Sequence, residues 1–364
     1  MDLCSGIQKM RVGQQNLQGA VLEVPEGRGP LCQSCKGICS GFLPHSWRKA
    51  CTVCGCSVED HGPGSDLDDD YNMGRLLADS KYAYLTAKVK GFRVYKRNRM
   101  VVTNPVVSRK DPTFDTITYD WAPPGLTQKL AMLYMKLLPK EKRPIAGTEG
   151  AGYRRRQLMR QLPVYDHDPS KCHRLLPEDQ LQAMQAFVRL YKEAVGVGEV
   201  TLPAMGGAHP PPVVKGEPKN GKSLPVQPDL TALTNTNGTE DCCQTREYHC
   251  SGCGQLAPQD SPVVYAEQAG YARLWHPACF VCGECGEALV DLVYFWREGR
   301  LLCGRHFSQG IRPRCSGCDE LIFCEDFQKG ADGRVWHPDH YCCWQCSQIL
   351  TVACSCPQTP APCP

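Results

Sequence analysis

The sequence predicts a multidomain chain: small zinc-stabilised β-hairpin modules, a mainly α-helical middle domain and a disordered linker. Three observations predict it. Cysteine supplies 25 of 364 residues and is concentrated in two places, six between Cys32 and Cys56 and most of the rest after Cys242. The stretch between carries only Cys172 and has two helix-like apolar periodicities. From 197 to about 247 the chain is rich in Pro, Gly, Asn and Thr and poor in large apolar residues. Such a stretch cannot bury enough surface to offset the entropy of ordering it, which makes 208–245 a flexible linker.

Charged residues are 22% and the net charge is +3. That balance does not suggest a general nucleic-acid binder. No run of about 20 apolar residues is present, so no membrane-spanning helix is expected. The opening "MDLCSGIQKMRVGQQNLQ" has no apolar core segment, so no signal peptide is expected and the compartment should be reducing. There, cysteines at C-x-x-C spacing mixed with histidine bind zinc rather than pair as disulfides.

The C-terminal ligands follow a strict order. Cys250-x2-Cys253, His276-x2-Cys279-x2-Cys282-x2-Cys285 and Cys303-x2-His306 supply eight donors, enough for two tetrahedral sites. The sequential partition gives Cys250, Cys253, His276 and Cys279 to one ion, and Cys282, Cys285, Cys303 and His306 to the next. A tight turn after the first thiolate of each pair brings two sulfurs to one ion. The gaps carry short strands, "VVYAE" and "DLVYFWREGRLLC". A unit this small has a poor surface-to-volume ratio, and about 10–16 kcal/mol of zinc binding becomes folding energy. A second copy, 312–364, starts at once. Cys315, Cys318, His337 and His340 close its first site, and Cys343 and Cys346 open another. The chain then reads "SQILTVACSCPQTPAPCP", so the C-terminal half of this copy is expected to be atypical or truncated.

The N-terminal region, 30–62, offers Cys32, Cys35, Cys39, His45, Cys51, Cys54, Cys56 and His61. Eight donors can hold two zincs, but Cys39 and Cys56 break the simple pairing and leave the partition open. In the middle, "TQKLAMLYMKLLP" has Thr127 as a candidate N-cap and Pro139 as a stop. "LPEDQLQAMQAFVRLYKEAVG" places Pro177, Glu178 and Asp179 in a first turn and Leu181, Met184, Phe187, Val188 and Tyr191 on one stripe. That stripe is expected to pack within its own domain, and Gly196 to cap the helix C-terminus.

The run "WHPACFVCGEC" at 275–285 and its ligand order resemble a LIM domain, which makes 246–311 a first and 312–364 a second such unit. "DPTFDTITYDWAPPG" (111–125) and "GTEGAGYRRRQLMRQLPVYD" (147–166) resemble a PET domain, set at 100–207, as found in the Prickle and testin proteins. The order cysteine-rich, PET, LIM, LIM resembles the LIM and cysteine-rich domains group of that PET/LIM family; testin-like members carry three LIM domains. The resemblance implies a non-enzymatic adaptor that is both cytoplasmic and nuclear. It implies transcriptional co-regulation, by repression, with GATA-type zinc-finger factors as partners. The alternative is a cytoskeletal or sarcomeric scaffold linking signalling proteins to actin structures.

Other function classes fare worse. A catalytic zinc needs an open position and a nearby base, and neither H-E-x-x-H nor the deaminase H-x-E with P-C-x-x-C occurs. No catalytic residue and no small-molecule substrate is expected. The first LIM-like unit carries five arginines against seven carboxylates, so direct DNA contact by it is not expected. "FRVYKRNR" (92–99) and "YRRRQLMR" (153–160) read as solvated faces, or as an import signal or acidic-partner surface. "GEPKNGKS" (216–223) spells a phosphate loop around Lys222, but prolines flank it and no buried strand precedes it, so it is read as accidental. Zinc-held hairpins present strand edges suited to pairing with a partner strand, and the linker would let PET and LIM units engage separate sites.

Overall fold

A computed structural model of the chain describes residues 32, 34–62, 66–106, 113–203, 247–343 and 348–350. The expected linker at 208–245, with Lys222 and Asn237, and the ligand Cys346 lie outside the described residues, as does the tail from 351 with its three cysteines. Among the described residues no helix is long and apolar enough to cross a membrane.

After the cysteine-rich knuckle comes a small unit that the sequence reading did not foresee. Helix α1 (Asp66–Leu77) packs Met73, Leu76 and Leu77 against the hairpin β1 (Thr86–Val89) and β2 (Phe92–Tyr95). Lys90 and Gly91 turn the hairpin with φ of 48° and 87°, the mirror-image turn that matches strand twist. Gly74 lets the helix touch the strand: a Cβ there would fall 2.5 Å from the Arg93 carbonyl oxygen.

The PET-like region opens with an antiparallel hairpin, β3 (Met100–Val106) and β4 (Thr113–Tyr119), and continues as α2 (Gln128–Leu137), α3 (Glu149–Gln161) and α4 (Glu178–Ala194). The Thr127 side chain accepts from the Leu130 amide, as an N-cap should. Helix α4 starts one residue after Pro177.

Two expectations about α4 are corrected. Its stripe packs outward, onto the LIM-like units. The Tyr191 ring lies 4.6 Å from Phe295, and Phe187 lies 5.9 Å from Phe323. Gly196 does not cap the helix; it lies in strand β5 (Val195–Val197), followed at once by β6 (Glu199–Thr201). These strands complete the first LIM-like unit. That unit contains β7 (Val263–Tyr265), β8 (Leu274–Trp275), β9 (Val293–Arg297), β10 (Arg300–Leu302) and α5 (Gly304–Gln309). Strand β5 pairs antiparallel with β9, and β6 with β7, so one extended segment adds a third strand to each hairpin. The idea of separately placed PET and LIM units is corrected, and two of the strand edges expected to be open to a partner, those of β9 and β7, are filled in cis. The second LIM-like unit adds β11 (Gln328–Lys329) and β12 (Val335–Trp336).

The glycines of "VGVGEV" explain the pairing. A Cβ on Gly196 would meet the Tyr294 ring at 2.4 Å, and one on Gly198 would meet Val264 at 2.7 Å. Tyr294 and Phe295 are both fully buried because both faces of β9 are covered. Two buried ion pairs pin the PET-like region to the two LIM-like units, one to each. Arg154 on α3 grips Asp291 with bonds of 2.9 and 2.5 Å, and Arg314 grips Asp166 with bonds of 2.9 and 2.5 Å. Both basic stretches are therefore partly structural. Arg97 bonds Asp70, Arg154 is buried, and Arg156 and Arg160 pair with Glu149 and Asp60.

Replacing Gly196 with Val should loosen the PET–LIM junction by about 1–3 kcal/mol, the usual cost of overpacking, seen as a lower urea midpoint and as new proteolysis near 195–203. A second test uses Asp69 on α1. Burial pushes its carboxyl up to about 6, against the pull of Arg154 and Arg97, and its Oδ2 is buried without a hydrogen-bond partner. The folded value lies above the unfolded one, so the chain loses stability as pH rises from about 4 to about 6 and carries the full penalty above that. Asp69→Asn should raise the thermal midpoint at pH 8, and the gain should shrink as pH falls through 6.

Candidate metal centres

Five cysteines that open a C-x-x-C spacing share one backbone bond. The amide of the first cysteine donates to the carbonyl five residues on: Cys51 to Cys56, Cys250 to Gln255, Cys282 to Glu287, Cys315 to Glu320 and Cys343 to Gln348, all at 2.8–2.9 Å. The residue after the second cysteine takes positive φ: 71° at Gly55, 71° at Gly254, 68° at Gly286 and 63° at Asp319. Glycine is favoured there because it has no Cβ to clash. The turn also points amides at the first sulfur. Gly252 and His276 donate to Cys250 Sγ at 3.4 and 3.3 Å, and Gly317 and His337 to Cys315 Sγ at 3.4 Å each. Such bonds favour the thiolate, the form that binds metal.

Three complete donor sets form in the C-terminal half: Cys250, Cys253, His276 and Cys279; Cys282, Cys285, Cys303 and His306; and Cys315, Cys318, His337 and His340. Within each set the donor atoms lie within 4.8 Å of one another, the spread of ligands around one tetrahedral ion. These are the sets the sequential partition gives. His276 Nε2 faces the Leu256 carbonyl at 3.2 Å, which fixes the tautomer and leaves Nδ1 for the ion, 3.4 Å from Cys253 Sγ. In the third set the Nδ1 atoms of His337 and His340 face each other at 3.3 Å. The thiols show the strain of crowding. A hydrogen bond from Cys303 holds Cys282 down to about 3, and the same contact pushes Cys303 up. Burial pushes Cys279 up to about 12. A divalent cation removes this conflict by replacing the protons. The donor sets fit zinc, whose binding is structural here: four protein ligands leave no open position.

In the N-terminal knuckle the donor sets include Cys32, Cys35, Cys39 and Cys54, and Cys39, Cys51, Cys54 and His61. Neither includes His45, whose Nδ1 accepts from the amides of Trp47 and Arg48 and so closes a turn. Neither includes Cys56, whose thiol faces the Cys54 carbonyl at 3.7 Å and also lies against the Cys54 and Cys32 thiols at the edge of the cluster. Cys343 has its turn, but its partner Cys346 lies outside the described residues.

The knuckle docks on the third C-terminal set, a contact with no sequence signal. Trp47 stacks on His340 at 4.2 Å with 6° between planes, and Arg48 lies 4.4 Å from the Trp47 ring. Lys49 bonds Glu320 at 2.6 Å, and the His173 amide and ring bond the same carboxylate at 2.8 Å each. One buried glutamate thus joins the knuckle, the PET-like region and the second LIM-like unit.

These centres and this packing define a PET–LIM protein, built of zinc-stapled modules of the adaptor type. A PET domain model matches residues 100–201 and a LIM domain model matches residues 250–310. The chain is 55% identical to LIM and cysteine-rich domains protein 1 of Homo sapiens over 354 residues, 96% of this chain and 92% of that protein. The protein of the same name from Sus scrofa is 55% identical over 355 residues, again 96% and 92%. Testin of Oryctolagus cuniculus is 45% identical over 354 residues, 96% of this chain and 80% of testin. The chain belongs to the family of LIM and cysteine-rich domains proteins and testins.

Native mass spectrometry should find at least three zinc ions per chain for the C-terminal sets alone. Trp47→Ala should speed zinc release from the third of them several-fold in a chelator assay, while the two sets of the first LIM unit release as before.

Proposed function

We propose that the chain is a non-enzymatic zinc-binding adaptor that represses transcription by covering the DNA-binding face of a GATA-type zinc finger. The observation that carries the adaptor reading is that the C-terminal donor sets are closed: each offers four side-chain ligands to one ion, which suits a metal that shapes a surface rather than performs chemistry. The partner class rests on charge and resemblance. A DNA-binding finger is basic, so an acidic docking surface is sign-complementary to it. In the first LIM unit that charge is largely used internally. Glu267, Glu284, Glu287, Asp291 and Glu298 pair with Lys81, Arg300, Lys142, Arg154 and Arg297. We therefore assign the contact to the second unit, where Glu325 and Asp326 are adjacent and exposed. Residence in both cytoplasm and nucleus follows from the same reading.

A gel-shift experiment tests it. Added protein should weaken the complex of a GATA-type factor with its DNA and leave free DNA unshifted. Glu325→Lys with Asp326→Lys should lose most of that effect and keep its zinc. A slower-migrating complex containing DNA, factor and this protein would replace occlusion with a bridging role.

A further inference from the structure

The two donor sets of the N-terminal knuckle are not separate. Both contain Cys39 and both contain Cys54. In each set the four donor atoms lie within 4.8 Å of one another. Cys39 Sγ is 3.6 Å from Cys35 Sγ on one side and 3.3 Å from His61 Nε2 on the other. Cys54 Sγ is likewise 3.3 Å from His61 Nε2. The imidazole is oriented for ligation: its Nδ1 faces the Ser57 carbonyl at 2.7 Å, so Nε2 keeps its lone pair for a metal. Cys39, Cys51 and His61 are almost wholly buried, at 2%, 1% and 2% exposure.

We propose that this knuckle holds two zinc ions as one binuclear cluster, with the Cys39 and Cys54 thiolates each bound to both ions. Cys32 and Cys35 complete one tetrahedron, and Cys51 and His61 complete the other. The two tetrahedra share an edge, which for Zn–S bonds of about 2.3 Å puts the ions on the order of 3 Å apart. Without sharing, these six donors fill one tetrahedron and leave two over, and counting the neighbouring Cys56 thiol still falls one donor short of a second. Charge favours the shared form as well. A single zinc on four thiolates carries a buried −2, and buried like charge is costly. Two zincs on five thiolates and a neutral imidazole carry −1. Loading both ions transfers five thiol protons to solvent. The spacing agrees, because each C-x-x-C pair gives both its sulfurs to one ion: Cys32 and Cys35 as terminal ligands of the first, and Cys51 as a terminal and Cys54 as a bridging ligand of the second.

The test uses the full chain loaded with cadmium-113 and read by proton–cadmium correlation NMR. The β-protons of Cys39 and Cys54 should each correlate with two cadmium resonances, and those two resonances should couple to each other. The β-protons of cysteines in the C-terminal sets should each correlate with one. A single cadmium correlation for Cys39 and for Cys54 overturns the cluster. Native mass spectrometry gives a second reading, with two metals beyond those of the C-terminal sets. Cys39→Ser should lose both together, whereas His45→Asn, outside both donor sets, should keep both. Loss of only one metal from Cys39→Ser, in a chain whose C-terminal sets stay loaded, overturns the sharing. Should Cys39→Ser fail to fold, the wild-type spectrum decides alone.

Discussion

Seven residues, 195–201, set the arrangement of the molecule. They leave α4 as an extended segment and hydrogen-bond first to β9 and then to β7, the central strands of the two hairpins of the LIM unit. Everything between the cysteine-rich knuckle and the second LIM unit is positioned relative to that segment. Helix α4 lies against Phe295 because β5 follows it without a break, and α3 reaches Asp291 because the LIM hairpin is held beside it. The segment can lie so close only because Gly196 and Gly198 present no side chain to Tyr294 and Val264.

Zinc and apolar burial divide the work in this design. A LIM unit has too little interior to hold its shape by packing alone, and metal binding supplies the difference. The PET–LIM junction is held differently. Aromatic rings from both sides form one continuous core: Tyr191, Phe295 and Phe307 from one cluster, and Trp275, Phe280 and Tyr294 from the next. The ion pairs Arg154–Asp291 and Arg314–Asp166 lie within that core. Buried pairs add little net stability relative to apolar residues, but losing one partner strands a charge, so they penalise any other docking register.

What the sequence disclosed follows from the range of each interaction. The three C-terminal donor sets were legible because a C-x-x-C turn is local, and because the partition simply runs along the chain. Thr127 and the hairpin containing Tyr294 and Phe295 were legible for the same reason. The junction was not. "VGVGEV" lacks bulk, so it reads as the start of a linker, and its partners Tyr294 and Val264 lie far along the chain. The signal was present in the alternation of glycine with valine after a helix, which fits a strand pressed against large rings as well as it fits a helix cap. The knuckle's partition was hidden because spacing assigns each cysteine to one ion and has no symbol for a shared one. Trp47 had no signal at all, since an exposed-looking tryptophan in a cysteine-rich loop names no partner.

The stack of Trp47 on His340 has a consequence in time. Lys49 and Glu320, the ion pair beside it, are separated by 271 residues. At ribosomal rates of roughly 5–20 residues per second, the knuckle emerges about 15–50 s before its docking surface exists. During that interval its thiols lack the cover of the second LIM unit. Completion of the C-terminal half is therefore what closes that side of the knuckle.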